Sequence, residues 1–261
     1  MVQGFGPLTL GLSVAALSAS AGGVWLSIRF ARKRGVLDVP NGRSSHSAPK
    51  PRMGGVPLGA AAMLAFGTWA YLVAGEAFFS KGIAVAISYA FCMWALGFSD
   101  DLYDLSVPFR LVIQFVVCMV CLGLAWPLVQ GILPGIFWMR TDWFHLLWVP
   151  VGSFWCVWML NLYNFMDGID GLAGGEAVIA SSFFFLLFAR EGESGWAVAN
   201  LLISASAMGF LVFNFPPASI FLGDAGSTCL GFGFAALALV GGARGPALPL
   251  GAPLLALAPF L

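Results

Sequence analysis

Four polar clusters in this chain carry side chains able to do chemistry. The first runs Asp38-Val39-Pro40-Asn41-Gly42-Arg43-Ser44-Ser45-His46-Ser47-Ala48-Pro49-Lys50-Pro51-Arg52-Met53-Gly54-Gly55. Arg43, Lys50 and Arg52 sit there on proline-stiffened backbone and suit an anionic ligand, phosphate being the usual one. A loop that only sets membrane topology would carry the same charge. In the second, Gly97-Phe98-Ser99-Asp100-Asp101-Leu102-Tyr103-Asp104, Asp100 and Asp104 lie one helical turn apart with Asp101 close by. Like charges at that spacing destabilise a bare helix, so the cluster either asks for a cation or is a solvated helix end.

The third cluster, Asn161-Leu162-Tyr163-Asn164-Phe165-Met166-Asp167-Gly168-Ile169-Asp170-Gly171-Leu172, repeats polar residues every three positions. If helical, Asn161, Asn164 and Asp167 form one stripe leaving the membrane. Two Asp-Gly turns follow, and Asp170 serves equally well as an N-cap of the next helix. The amides of Asn161 and Asn164, at the end of an apolar run, need partners, and a ligand is a natural one. The fourth, Asn214-Phe215-Pro216-Pro217-Ala218-Ser219-Ile220-Phe221-Leu222-Gly223-Asp224-Ala225-Gly226-Ser227, sets Asp224 between glycines at a helix start. Small residues there let a ligand approach the backbone, and a helix N-terminus favours anions. Asp224 taken alone reads as an N-cap.

The elements that must position these clusters are membrane helices. Of 261 residues, 60% are hydrophobic and only 9% charged, against roughly 25% charged in soluble domains. The apolar residues fall in blocks of about 17–25, the length of a spanning helix, and not in the alternating segments of a β-barrel. Nine helices are expected: Leu8–Ile28, Gly55–Ala74, Ile83–Phe98, Leu111–Val129, Leu146–Leu160, Ala173–Ala189, Trp196–Phe213, Ser227–Val240 and Ala247–Leu261. The fold class is therefore all-α, a polytopic membrane helix bundle forming a single domain over residues 1–261. Its first apolar block is followed, not preceded, by Arg29, Arg32, Lys33 and Arg34. That order reads as a retained helix with the N-terminus outside.

With that orientation, Arg29, Arg32, Lys33, Arg34, Arg43, Lys50, Arg52 and Arg110 are cytoplasmic, and Lys81, Arg140, Arg190 and Arg244 are outside. The aspartates test this independently. Seven of the eight, Asp38, Asp100, Asp101, Asp104, Asp167, Asp170 and Asp224, fall on the cytoplasmic side, and two helices separate each cluster from the next. An Asp at a helix centre costs about 2.5–3.5 kcal/mol on insertion scales, so they belong at helix ends or in a water-filled cleft. The four clusters should therefore form one site at the cytoplasmic face.

Equal numbers of acidic and basic residues, twelve of each, provide no charge argument for nucleic acid. The five cysteines lie mostly in apolar blocks, where a thiol packs as a small hydrophobe, and no disulfide is expected. With His46 and His145 the only histidines, a metal at the site should be a hard, oxygen-bound ion. Mg²⁺ held by one or two carboxylates and substrate phosphates is the leading expectation, with Mn²⁺ as the alternative. His46 reads as a loop residue and His145 as an interfacial one beside Trp143 and Trp148.

The order and spacing of these motifs, namely Asp38–Gly55, D-D-x-x-D at Asp100–Asp104, N-x-x-N-x-x-D-G-x-D-G-L at Asn161–Leu172 and F-L-G-D-x-G-S at Phe221–Ser227, resemble the bacterial polyprenyl-phosphate N-acetylhexosamine-1-phosphate transferases. The phospho-N-acetylmuramoyl-pentapeptide transferase of peptidoglycan synthesis is a relative of that family. Asp104, where the peptidoglycan enzyme's pattern has Lys, and the Asn-Phe-Pro-Pro-Ala run resemble the O-antigen and teichoic acid branch. The resemblance implies transfer of a HexNAc-1-phosphate from a UDP-sugar to undecaprenyl phosphate with release of UMP, in the bacterial cytoplasmic (inner) membrane, to initiate an O-antigen-like polysaccharide.

By the family's pattern, Asp224 is a metal ligand, supported by Asp101. Asp100 receives the lipid phosphate proton or positions that phosphate, with Asp101 in support. Lys50 and Arg52 lower phosphate repulsion. Gly168, Ile169 and Asp170 hold the uracil with Phe221 stacked on it, while Asn161, Asn164, Asp167 and Asn214 line the nucleotide and phosphates. Homodimerisation is among the assemblies left open. Family members continue past the ninth helix into a cytoplasmic loop with an H-x-H-H-like motif, so a fragment or an impaired enzyme is expected. An ion-coupled transporter and a catalytically inactive membrane scaffold are the readings from other classes. The transporter would put its carboxylates near helix midpoints.

Overall fold

The computed structural model describes residues 6–40, 48–74, 83–130 and 144–243. Eight long helices account for most of them. Helix α1 (Pro7–Arg34) begins with proline at its first position, where the missing N–H costs nothing. It ends at Gly35, whose left-handed φ of 73° lets its N–H return to the Ala31 carbonyl. A short antiparallel pair follows, β1 (Leu37–Asp38) with β2 (Lys50–Pro51), in the register Leu37 opposite Pro51 and Asp38 opposite Lys50. Helix α2 (Gly55–Trp69) runs on into a π-helical turn, Ala70–Ala74.

Then come α3 (Ile83–Tyr103), α4 (Val107–Gln130), α5 (Phe144–Met166), α6 (Leu172–Arg190), α7 (Ser194–Asn214) and α8 (Asp224–Ala243). Six of the helices are long and apolar enough to cross a membrane. Eight of the expected helices are therefore present. The ninth, Ala247–Leu261, lies outside the described residues, as do Arg43 and His46. Several helices run further than their apolar stretches. α1 continues through the basic run to Arg34, α3 carries Asp100 and Asp101 in its last turn, and α5 carries Asn161 and Asn164. Helical hydrogen bonding continues past the hydrophobic block because polar residues at a helix end are solvated or paired, not buried in lipid.

Helix α8 is the pivot of the packing. It lies against α3 and α5 and also touches α2, while α7 packs between α6 and α1. The core holds Met93, Met159, Leu160, Tyr163, Phe184, Phe210 and Phe234, with the Phe184 and Phe234 rings stacked at 6.2 Å. Cys118, Cys121 and Cys156 are buried in the same cluster, and all five cysteines are free. Leu10, Leu64, Val112, Val151 and Val212 face outward, as lipid-contacting surfaces require. With little apolar driving force between helices in lipid, close packing and polar contacts hold them together. Ser20 donates to the Ser206 carbonyl at 2.7 Å, and the Ser182 and Ser204 hydroxyls meet at 3.0 Å.

Two close backbone approaches bring the polar helix ends together. A Cβ on Gly97 of α3 would lie 2.1 Å from the Asp224 carbonyl oxygen, and one on Gly55 of α2 would lie 2.2 Å from Gly226 Cα. Only glycine permits either contact. The chain is thus a multi-pass membrane protein whose second, third and eighth helices meet at one end.

Candidate active site

The loop from β2 into α2 is laced to the strand-like segment ahead of α8. Phe221 N–H donates to the Pro51 carbonyl at 2.8 Å, Gly54 N–H to the Phe221 carbonyl at 3.0 Å, and Gly55 N–H to the Leu222 carbonyl at 2.6 Å. This lacing joins the first polar cluster to the fourth. Lys50 then reaches Asp170, Nζ to Oδ1 at 2.7 Å, and its ammonium lies 5.1 Å from the centre of the Phe221 ring. Phe221 itself is only 2% exposed. The other oxygen of Asp170 accepts the Ala218 N–H at 2.9 Å. Asp170 is therefore not an N-cap: Gly171, with φ of 77°, occupies that position and α6 has no side-chain cap.

Asp224 does not cap its own helix. Asp101, in the last turn of α3 and 1% exposed, caps it from outside. Its Oδ1 accepts the Asp224 N–H at 3.0 Å and its Oδ2 the Ala225 N–H at 3.1 Å. A carboxylate at a helix N-terminus satisfies orphan amides and complements the helix dipole. Asp167 does similar work on the preceding segment, accepting Leu222 N–H at 3.0 Å and Gly223 N–H at 2.6 Å. Burial nonetheless pushes the Asp167 carboxyl up from its ordinary 3.8 to about 7, against the downward pull of those two amides. Asn214 binds in two directions as well, accepting Gly171 N–H at 3.2 Å and donating to the Ile220 carbonyl at 2.9 Å.

With these backbone segments held, the reactive groups converge. Asp100, 3% exposed, accepts Leu105 N–H on one oxygen at 2.8 Å and pairs with the Arg110 guanidinium through the other. The same Arg110 nitrogen lies 3.6 Å from Asp224 Oδ1. Asn164 donates to that Asp224 oxygen at 2.6 Å and accepts the Ser227 hydroxyl at 2.7 Å. Arg52 turns outward, donating to Asp104 at 2.6 Å and to the Asp101 carbonyl at 3.2 Å. Gly168 takes a φ of 131°, and Ile169 is half-exposed beside it. Deeper in, Asn161 pairs with Gln114 at 3.0 Å. The sequence-derived site residues that the structure describes thus lie at one end of the bundle.

Among the described residues, no three acidic, histidine or cysteine side chains are gathered as a ready-made metal cage. What the site offers a hard cation is the oxygen pair Asp100 and Asp224, supplied by two helices and now bridged by Arg110. Two carboxylates plus substrate phosphates are an ordinary Mg²⁺ donor set, so the residues fit that ion. Asp101, by contrast, has each oxygen engaged by a backbone amide.

Arg110 is the residue that motif reading passes over, since it enters there only as one cytoplasmic charge among eight. A usable signal does exist: an arginine in the first turns of an apolar helix has to find a partner. Gln114, one turn further along α4, is the second residue missed.

Residues 83–242 match the profile of glycosyl transferase family 4. The probable undecaprenyl-phosphate N-acetylglucosaminyl 1-phosphate transferase of Bacillus subtilis (strain 168) is 33% identical over 82% of this chain and 57% of its own length. The undecaprenyl-phosphate alpha-N-acetylglucosaminyl 1-phosphate transferase of Salmonella typhi is 30% identical over 80% of this chain and 56% of its own. The phospho-N-acetylmuramoyl-pentapeptide-transferase of Latilactobacillus sakei subsp. sakei (strain 23K) is 37% identical over 39% of this chain. The chain spans just over half the length of the first two.

Proposed function

We propose, from the premise that the chain belongs to glycosyl transferase family 4, that it transfers a HexNAc-1-phosphate from a UDP-sugar to undecaprenyl phosphate and releases UMP. One observation carries the reading: Asp100, Arg110 and Asp224 meet where α3, α4 and α8 end, close to an apolar groove. That groove, about 360 Å³, is lined by Leu111, Phe154, Val157, Trp158, Asn161, Leu162 and Phe165 of α4 and α5. Charged groups that manage phosphates thus adjoin a surface suited to a prenyl chain. The membrane is the bacterial inner membrane, crossed about nine times with the N-terminus outside and the site at the cytoplasmic face, where UDP-sugars are found.

In the net reaction, a P–O bond forms between a lipid phosphate oxygen and the donor's β-phosphorus. The bond from that phosphorus to the oxygen of the α-phosphate breaks, and UMP leaves with the electron pair. Asp100 positions the lipid phosphate and takes its proton. Arg110 neutralises the phosphates brought beside two carboxylates. Asp224, oriented by Asn164 and by the Asp101 cap on its helix, is the ligand for a Mg²⁺ ion. Asp101 in this assignment acts by holding Asp224, a different role from the direct ligation expected of it by the family's pattern. A bound Mg²⁺ supplies Lewis-acid stabilisation of charge on the transferring phosphoryl group.

Lys50 moves from the Phe221 face to the donor's diphosphate, uncovering the ring for the uracil. Gly168, Ile169, Asp170 and Asn214 frame the base, and Asp167 holds the Leu222–Gly223 backbone under the phosphates. Arg52 adds positive potential at the rim.

The test is UMP release in detergent from a panel of UDP-HexNAc donors, with a short polyprenyl phosphate as acceptor and with Mg²⁺ or EDTA. Release that requires both the lipid phosphate and the divalent ion is expected. UMP release indifferent to the lipid would overturn the reading. The half-sites are separable: Phe221→Leu and Asp170→Ala should weaken UDP-sugar binding roughly ten- to hundredfold, the range for a lost base–aromatic stacking contact. Asp100→Asn should lower kcat and leave nucleotide affinity nearly intact. If Asp100→Asn abolished UDP-sugar binding while Phe221→Leu spared it, the two assignments would be reversed.

A further inference from the structure

The last turns of α1 carry Arg29, Arg32, Lys33 and Arg34, all of them exposed. The candidate site uses Lys50, Arg52 and Arg110, and each of those is paired with an aspartate. Among the described residues, none of the four on α1 has an acidic partner. Arg29 is three positions from Arg32 and four from Lys33, so these side chains are neighbours on the helix surface. Like charges at those spacings destabilise a helix, yet α1 remains helical through Arg34.

Membrane topology and helix capping do not account for this arrangement. Topology asks for positive charge at this end and for no particular conformation. The helix dipole concerns the last turn, where Arg32, Lys33 and Arg34 lie and where Gly35 closes the helix. Arg29 stands a turn deeper, with its guanidinium 3.5 Å from the centre of the Trp25 ring. Trp25, Leu26 and Phe30 around it are exposed, whereas Val24, Ile28 and Ala31, on the other side of the helix, are buried. The outer face of α1 is thus apolar and aromatic up to the level of Arg29 and cationic beyond it.

We propose that this face binds one anionic phospholipid, with its phosphodiester against Arg29, Arg32 and Lys33 and its acyl chains along Trp25, Leu26 and Phe30. Arg29 and Lys33 are about 6 Å apart along the axis by the helix rise, so one headgroup can meet both. Charge complementarity calls for an anion, and the apolar part of the face decides its kind. A free phosphate or nucleotide would leave Trp25 and Leu26 uncovered, and an acidic protein segment would have to enter the hydrocarbon to cover them. A phospholipid covers both from its ordinary place in the bilayer. None of these residues takes part in the transfer chemistry proposed above; the inference needs only that α1 spans a membrane.

The test compares phosphatidylglycerol with chain-matched phosphatidylcholine, by native mass spectrometry of the purified chain and by titration in mixed micelles. Phosphatidylglycerol should be retained in preference, and the preference should shrink as salt rises. Arg29→Gln with Lys33→Gln should lower it roughly fivefold per charge removed, the range for a Lys or Arg near an anionic surface. Trp25→Ala keeps every charge, and with them the topology signal, so it provides the comparison if the first variant inserts wrongly. It should lower the preference about two- to fivefold through loss of the cation–π contact that holds Arg29.

Equal retention of the two lipids by wild type would overturn the proposal, as would a preference that neither variant changes. Displacement of the lipid by inorganic phosphate at matched ionic strength would also overturn it, by making this a free-anion site. Displacement by polyglutamate would do the same, by making it a face for an acidic protein. No arm of the test measures turnover. A chain that holds phosphatidylglycerol here and releases no UMP from any UDP-HexNAc would keep this site and lose the transferase reading.

Discussion

Arg110 holds two carboxylates of different helices at once, so its removal should be felt in both folding and chemistry. Asp100 is almost fully buried beside it, and breaking a buried ion pair from one side costs about 3–5 kcal/mol because the remaining charge is stranded. Arg110→Met should therefore lower the thermal midpoint in detergent and abolish transfer. Adding Asp100→Asn should recover much of the stability without the activity, because the stranded charge is gone. An unchanged midpoint in the single variant would remove Arg110 from the centre of the site.

Asp167 makes a pH prediction with a definite sign. Its folded-state value of about 7 lies above the ordinary 3.8 because of burial, so between those limits the folded state binds more protons than the unfolded one. Stability should accordingly fall as pH rises from about 4 to 7 and level off above, by at most about 1.4 kcal/mol per unit. Unfolding midpoints in EDTA should show this slope in wild type and a smaller one in Asp167→Asn. A slope that is identical in the two would assign the dependence to other groups.

At the scale of elements, the site exists because helix ends are brought closer than ordinary side chains allow. Gly97 of α3 packs on the Asp224 carbonyl, and the Asp101 cap joins the same two helices one turn away. Gly97→Ala has no room for its Cβ at 2.1 Å, so α3 and α8 must separate, carrying Asp100 away from Asp224. Transfer should drop by more than tenfold while the protein still inserts in the membrane. Asp101→Ala should cost about 0.5–2 kcal/mol, as loss of a helix cap does. Hydrogen exchange should quicken at the Asp224 and Ala225 amides and hold steady along α7. Protection unchanged at those two amides would show that α8 keeps its start without help from α3.

For the whole molecule, the decisive quantity is which end of the bundle faces the cytoplasm. Val39 beside β1 is exposed at the site end, whereas Glu191 lies in the turn between α6 and α7. In spheroplasts, a membrane-impermeant maleimide should label Glu191→Cys at once and Val39→Cys only after permeabilisation, with the native cysteines as background controls. The reverse pattern would invert the topology and move the site away from cytoplasmic UDP-sugars. The one-ended arrangement also favours the proposed transferase over a transporter. A transporter places its carboxylates near helix midpoints, and the aspartates that pair here, Asp100, Asp101, Asp167, Asp170 and Asp224, cluster at one end.

The amino-acid sequence by itself determined that this is a membrane protein, where eight of its helices lie and which polar motifs gather at one end of the bundle. Hydrophobicity adds up locally along a segment, and the Asp, Asn and Gly motifs are contiguous, so both survive reading in one dimension. Partner choice was decided only in the tertiary structure. Asp170 and Asp224 read as caps for their own helices, yet Asp170 took Lys50, 120 residues away, and the cap on α8 came from Asp101, 123 residues from the Asp224 amide. Arg110 looked like one basic charge among several until α3, α4 and α8 met around it. Each of these pairings depends on how non-adjacent helices pack, which rests on close glycine contacts such as Gly97 on Asp224 and Gly55 on Gly226. A glycine in a sequence shows that a close approach is possible, and only the packed bundle shows to what.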